Sequence, residues 1–327
     1  MDKNYLVITK SQNRTCHNNQ VEGKLLPDCL YTILGPTASG KTNLAVALAQ
    51  VISGEIISVD SRQIYRGMDI GTGKDLNEYG QTPYHLIDII NPGERYDVSR
   101  FHHDFNNAYN DITTRGSTPI VAGGTGLYLH SLFIQRPYIH VAPNPGLRER
   151  LLPLNKAALI ALLSNYQIPD DFDIDISSHK RLIRGIEILD AVTTGNVPQD
   201  IKKAPYKPLI FGINPAVAQR RKNITSRLNQ RIENGLIEEV RGLLSIGVTH
   251  QDLQYYGLEY KYVSRYLLGE LTYQNFFTKL ETEIHRYAKR QMTFFRKMER
   301  DGLTIHWLKG LTNEQRLAEI LCKLKKE

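Results

Sequence analysis

Gly35-Pro36-Thr37-Ala38-Ser39-Gly40-Lys41-Thr42 decides the fold of this chain. An apolar run, Leu30-Tyr31-Thr32-Ile33-Leu34, leads into it. A helix-like run, Asn43-Leu44-Ala45-Val46-Ala47-Leu48-Ala49, follows it. Strand, glycine loop, lysine, hydroxyl and helix in that order make a P-loop in its proper context. The physics is that of an anion cradle. Loop amides and a helix N-terminus point donors at phosphate oxygens. Lys41 adds a point charge, and the Thr42 hydroxyl suits a Mg²⁺ that bridges phosphates. The chain therefore handles a diphosphate or a triphosphate.

Outward from this loop, strand and helix alternate. Glu55 to Asp60 reads as a buried strand ending in polar residues. Tyr84 to Ile90, Pro119 to Gly124 and Pro208 to Ile213 read as further strands. Helical stretches between them predict an α/β fold: a P-loop NTPase-like parallel sheet with helices on both faces. Ligands in such sheets sit at the carboxyl ends of the strands. Between 137 and 200 the strand signal stops. Leu147 to Leu154, Lys156 to Leu163 and His179 to Val192 have helical spacing, and an acidic loop, Pro169 to Asp175, lies among them. The expected organisation is an N-terminal extension at 1–28, an α/β core at 29–136 and 201–327, and a helical insertion domain at 137–200. From 217 onward the chain reads as mostly helical.

Composition describes a globular protein: 41% hydrophobic and 23% charged residues over 327 positions. The net charge of +7 favours an anionic partner such as nucleic acid. Three cysteines, Cys16, Cys29 and Cys322, make no C-x-x-C pair, so neither a zinc site nor a disulfide framework is supported. No apolar run approaches the ~20 residues of a membrane span. Tyr5 to Ile8 is too short for a signal sequence. A cytoplasmic protein that does not engage membranes is expected.

Chemistry beyond the P-loop concentrates at two strand ends. Asp60-Ser61-Arg62-Gln63 follows a buried strand and should lie near the P-loop mouth. Asp60 suits a metal ligand, a general base or the N-cap of the next turn, and the sequence does not separate these. Gly123-Gly124-Thr125-Gly126 also follows a strand; its glycines would let backbone approach a ligand, and Thr125 offers a hydroxyl. Basic residues recur at helical spacing in three places: Lys180, Arg181 and Arg184; Arg220 to Arg231; and Arg286 to Arg300, the last interleaved with Tyr287, Phe294 and Phe295. Three such faces beside a phosphate site favour a polyanionic substrate over solvated helix surface.

These motifs resemble the tRNA dimethylallyltransferases, also called tRNA isopentenyltransferases. The matching stretches are Gly35 to Thr42, Ser58 to Lys74 (SVDSRQIYRGMDIGTGK), His85 to Asp88, Val121 to Leu129, Arg181 to Arg184 and Lys289 to Arg296. The resemblance implies transfer of a dimethylallyl group from its diphosphate to N6 of the adenosine 3′-adjacent to a tRNA anticodon. It implies that Gly35, Pro36, Thr37, Ala38, Ser39, Gly40, Lys41 and Thr42 hold the prenyl diphosphate, with Mg²⁺ on Thr42. Asp60 is then the base, supported by Thr125 and Arg227. Asp60, Ser61, Arg62, Gln63, Thr125, Lys180, Arg181, Arg184, Lys261, Lys289 and Arg290 are the expected tRNA contacts, and the insertion grips the anticodon arm. A monomer is expected. Where the family has a Gly-Tyr-Arg-like element this chain has Gly257-Leu258-Glu259-Tyr260-Lys261. That puts a carboxylate, Glu259, where a basic contact is expected and moves the contact to Lys261.

A P-loop small-molecule kinase is the competing enzyme class. It would need ATP and lid arginines over a γ-phosphate, and the long Ser58 to Lys74 block argues against it. A non-catalytic RNA-binding protein has no use for a diphosphate cradle.

Overall fold

The computed structural model describes residues 29–134, 138–197 and 206–325. The expectations for the 1–28 extension and for the junctions at 136–137 and 200–201 lie outside the described residues. Among the described residues are six strands: β1 (Cys29–Leu34), β2 (Gly54–Val59), β3 (Tyr84–His85), β4 (Thr118–Gly123), β5 (Lys207–Gly212) and β6 (Ile305–Trp307). They form one parallel sheet in the order β3-β2-β4-β1-β5-β6.

Alternation along each central strand explains why both faces are covered. Tyr31 and Ile33 of β1, Ile56 of β2, Ile120 of β4 and Phe211 of β5 point to one side. They pack on α1 (Lys41–Ile52) and α12 (Asn313–Leu324). Leu30, Leu34, Ile57, Val59, Val121 and Ile210 point to the other side. There they meet α2 (Val98–Thr114), α3 (Gly126–Phe133), α7 (Val217–Glu233), α8 (Leu236–Ser245), α9 (His250–Leu253), α10 (Leu258–Leu267) and α11 (Tyr273–Arg300). A strand buried on both faces reads as a continuous apolar run, as these do.

One expectation is corrected. Tyr84 to Ile90 is not one strand: only Tyr84 and His85 pair with β2. Leu86 (φ +62°) and Asp88 (φ +57°) take left-handed backbone, which ends the ladder. The turn aims Asp88 at the buried Lys74, whose Nζ also donates to Asp69 Oδ1 at 2.5 Å and to the Tyr65 carbonyl at 2.7 Å. Beyond 217 the chain is mostly helical, as expected, with the three-residue β6 the strand within it.

Between β4 and β5 stand α4 (Pro145–Leu151), α5 (Lys156–Leu162) and α6 (His179–Thr193). Asn144, Asn155 and Ser178 cap them by accepting N–H bonds from the first turn. Leu147, Leu151, Leu159, Leu182, Ile183 and Ile186 form a core of their own.

Candidate active site

The P-loop joins β1 to α1. Ala38 (φ +59°) and Gly40 (φ +80°) both take left-handed backbone, winding the loop into a nest of N–H groups. α1 begins at Lys41 with no side-chain cap and no acid in its first turn. Its N-terminal donors and the positive end of its dipole are thus left for an anion. The Ser39 hydroxyl is buried with no hydrogen-bond partner among the described residues. An orphan hydroxyl inside the loop fits a phosphate oxygen. Desolvation lowers the Lys41 ammonium to about 8, against the opposing pull of the Asp60 carboxylate.

Asp60 and Thr125 come to the same end of the sheet because their strands are neighbours. β2 and β4 pair in parallel with Val59 opposite Gly123, so the loops that follow leave the sheet side by side. Asp60 Oδ1 accepts the Arg62 N–H at 2.9 Å, which fixes the turn after β2. Thr125 Oγ1 accepts the Ser61 N–H at 3.1 Å. Gln63 is anchored by Ser58 Oγ, which donates to its Oε1 at 2.9 Å, and donates from Nε2 to the Gly73 carbonyl at 2.9 Å.

The glycines at the end of β4 also serve the packing. A Cβ on Gly123 would lie 2.2 Å from the Val59 carbonyl oxygen, and one on Gly126 would lie 2.4 Å from the Phe294 ring. They make room for protein, and Gly124 and Gly126 also line the cavity described below. Gly124 is equally tight against Gln291 of α11. Gln291 is buried; its Oε1 accepts the Thr37 N–H and its Nε2 donates to the Gly124 carbonyl, both at 2.9 Å. One amide thereby ties the P-loop to the Thr125 loop.

A third wall comes from residues 69–75. Glu239 of α8 accepts the N–H groups of Asp69 (2.7 Å), Ile70 (2.7 Å) and Gly71 (2.9 Å), together with the Tyr260 hydroxyl at 2.7 Å. Held this way, the loop turns carbonyls toward α7. Arg231 Nη1 donates to the Gly71 carbonyl at 3.3 Å, and Arg227 Nη2 to the Gly73 carbonyl at 3.2 Å and to Asp75. Gly73 has φ +62°, and a Cβ there would lie 1.7 Å from Arg231 Nη2. No other residue type fits that position without displacing an arginine.

The result is a cavity of about 540 Å³ at the carboxyl ends of the strands. Thr37, Lys41, Thr42, Asp60, Thr125 and Arg227 line it, as do Ser61, Arg62, Gln63, Lys261 and Arg290. Lys41, Thr42 and Arg227 also line a second hollow of about 310 Å³, together with Ala38, Ser39 and Gly40. Tyr255, Tyr287 and Phe294 give the larger cavity aromatic walls, and the Arg62 guanidinium carbon lies 4.9 Å from the centre of the Tyr255 ring.

Some expected contacts are placed elsewhere. Lys289 is exposed on α11 and outside both cavities, and Lys180 is exposed on α6. Arg181 pairs with Asp175 of the acidic loop at 2.8 Å. Arg184 is partly buried; it donates to the Val141 carbonyl at 2.6 Å and lies 3.7 Å from the buried Glu187. Glu259 does not face a phosphate site as a free carboxylate, because it pairs with Arg231 at 2.8 Å. Gln291, Glu239, Tyr255 and Asp75 escaped the sequence reading. Gln291 alone had a usable signal, since Tyr287, Gln291 and Phe294 share one face of a helix at spacings of three and four.

Comparison with known proteins decides the family. The profile described as IPP transferase matches residues 63–298, and the one described as isopentenyl transferase matches 28–82. The chain belongs to the IPP transferase family. Within the family, tRNA dimethylallyltransferase 2 of Bacteroides fragilis is 48% identical over 307 residues, covering 92% of this chain and 99% of that protein. A second family member, tRNA dimethylallyltransferase 2 of Porphyromonas gingivalis, is 48% identical over 299 residues, covering 90% of this chain and 98% of that one. The crystal structure of the Staphylococcus epidermidis tRNA delta(2)-isopentenylpyrophosphate transferase superposes with a TM-score of 0.66 at 31% identity, covering 91% of this chain and 99% of that one.

Proposed function

We propose that this protein transfers the dimethylallyl group of dimethylallyl diphosphate to N6 of the adenosine 3′-adjacent to the anticodon of tRNA. The observation that carries the reading is one cavity lined by an anion cradle and by both Asp60 and Thr125, in a chain of this family. The C–O bond to the diphosphate breaks, the N6–C bond forms and N6 loses a proton. Negative charge grows on the leaving diphosphate, where the P-loop amides, Lys41 and Arg227 stabilise it. Asp60 takes the proton. The amine is a weak nucleophile because its lone pair is delocalised, so a carboxylate held at the right place matters most. Thr125 keeps the Asp60 turn in place through Ser61. The base reaches this cavity by flipping out of the anticodon loop, and the aromatic walls receive it.

Thr42 would hold Mg²⁺. Its hydroxyl and the diphosphate oxygens are the hard donors that this ion takes. Among the described residues no group of three or more His, Cys, Asp or Glu side chains could hold a metal, so the ion would depend on substrate oxygens. Bound there, it supplies charge neutralisation to the diphosphate.

The insertion helices and the basic face of α11 bind the anticodon arm in this reading, and the enzyme works as a cytoplasmic monomer. Among the described residues no helix is long and apolar enough to cross a membrane. The kinase reading is not favoured, since the chain belongs to a transferase family of different chemistry. The test is incubation with labelled dimethylallyl diphosphate and a tRNA transcript, with and without EDTA. Label in tRNA that EDTA abolishes is expected. ATP turnover without prenyl donor would favour the kinase.

A further inference from the structure

We propose that Asp75 competes with the diphosphate for Arg227, and that this competition speeds release of the diphosphate product. The inference rests on the reading above, in which Arg227 serves the diphosphate.

Arg227 stands between two anion sites. On one side it lines both hollows around Lys41 and Thr42. On the other, its Nη2 donates to the Asp75 carboxylate and to the Gly73 carbonyl. Asp75 lines neither hollow. Its carboxylate is 40% exposed and the Arg227 side chain 29% exposed, so the pair can open without stranding a charge in a dry interior. The backbone supports a dedicated position: Asp75 has φ +46°, two residues after Gly73 at φ +62°. Asp and Asn tolerate that conformation far better than most residues. Glu239 fixes the start of the same loop through the N–H groups of Asp69, Ile70 and Gly71.

The chemistry gives such a carboxylate a task. When the C–O bond breaks, the diphosphate keeps the bonding electrons and gains an ionised oxygen. The product therefore binds a cluster of cations more tightly than the donor does, and tight product binding limits turnover. A nearby carboxylate that takes back one guanidinium lowers product affinity more than donor affinity. Glu78 adds to this field. It lines the smaller hollow, and its carboxyl is raised by desolvation and by the neighbouring Asp75 charge. The cations at the P-loop are thus balanced by acids behind them.

The test titrates inorganic pyrophosphate with Mg²⁺ into wild type, Asp75→Asn and Arg227→Ala, followed by calorimetry. Asn retains the left-handed turn while removing the charge, and Asp75→Gly gives the same comparison if the Asn variant does not fold. Pyrophosphate should bind the Asp75 variants ~3–10-fold more tightly. Their steady-state rate should fall below the single-turnover rate, a split that a merely structural residue would not produce. Unchanged or weaker pyrophosphate binding in the Asp75 variants overturns the inference. Arg227→Ala separates the two levels. If it binds pyrophosphate as wild type does, the role of Arg227 itself is wrong; if it binds weakly, only the role of Asp75 is at stake.

Discussion

Arg231 and Glu259 form an ion pair in the wall of the cavity, with Nη1 donating to Oε1 at 2.8 Å and side chains only 11% and 16% exposed. Gly257 makes the approach possible, since its φ of +141° starts α10 in a conformation few other residues adopt. Replacing Glu259 with Arg sets two guanidiniums against each other where water is scarce. Breaking such a pair from one side costs about 2–4 kcal/mol. Glu259→Arg should lower the melting temperature markedly and weaken donor handling, with Glu259→Gln intermediate. Thermal melts of the three proteins decide this; tighter tRNA binding at unchanged stability in Glu259→Arg would mean that Glu259 faces the RNA instead.

Lys41 gives the site a pH signature. Desolvation brings its ammonium to about 8 in the folded protein, below its ordinary range. Below that pH the lysine is charged and attracts the diphosphate; above it the charge is lost. Donor kcat/KM should therefore fall as pH rises through about 8. Stability runs the opposite way. The unfolded chain holds this proton up to its ordinary, higher value, so between the two values the unfolded state binds more protons and this lysine adds stability as pH rises. Lys41→Arg should remove the inflection near 8 from the donor profile. An inflection that persists in Lys41→Arg belongs to another group.

Asp60→Asn is the sharpest test of the base. The amide oxygen can still accept the Arg62 N–H, so the turn should persist. tRNA affinity should stay within a few-fold while single-turnover transfer falls by ~10²–10⁴. Transfer near the wild-type rate would remove Asp60 from the chemistry.

The basic residues divide by their surroundings. Lys289 and Arg290 are exposed on α11, and neutralising either should make the log–log salt dependence of tRNA binding shallower by up to ~1. Arg184 is different, because it helps to hold the buried Glu187 carboxylate together with Arg148 and the Asn144 N–H. Arg184→Ala should destabilise the insertion by about 1–3 kcal/mol and barely move the salt slope. Binding isotherms across salt, read beside thermal melts, check both halves of this claim.

The P-loop, the central strands and the placing of Asp60 and Thr125 at one mouth were legible because each depends on local pattern. Buried parallel strands read as apolar runs, and the motifs at their carboxyl ends converge by the logic of the fold. What stayed hidden depends on contacts far apart in the chain. Nothing near Glu239 shows that its carboxylate holds residues 69–71, and nothing near Glu259 shows Arg231 waiting on α7. Gly123 looked like a ligand-facing glycine because a close approach to protein leaves the same mark in sequence as a close approach to substrate. β3 was overread because Leu86 to Ile90 is apolar enough for a strand, while the left-handed residues that end it serve Lys74. β6 is too short for periodicity to register.

Nucleoside mass spectrometry after reaction of the purified protein with a tRNA transcript and dimethylallyl diphosphate tests the central claim most directly. One dimethylallyl unit is expected on the adenosine 3′-adjacent to the anticodon, its formation dependent on Asp60 and Lys41. Unmodified adenosine at that position, or the prenyl unit on another nucleoside, would contradict it.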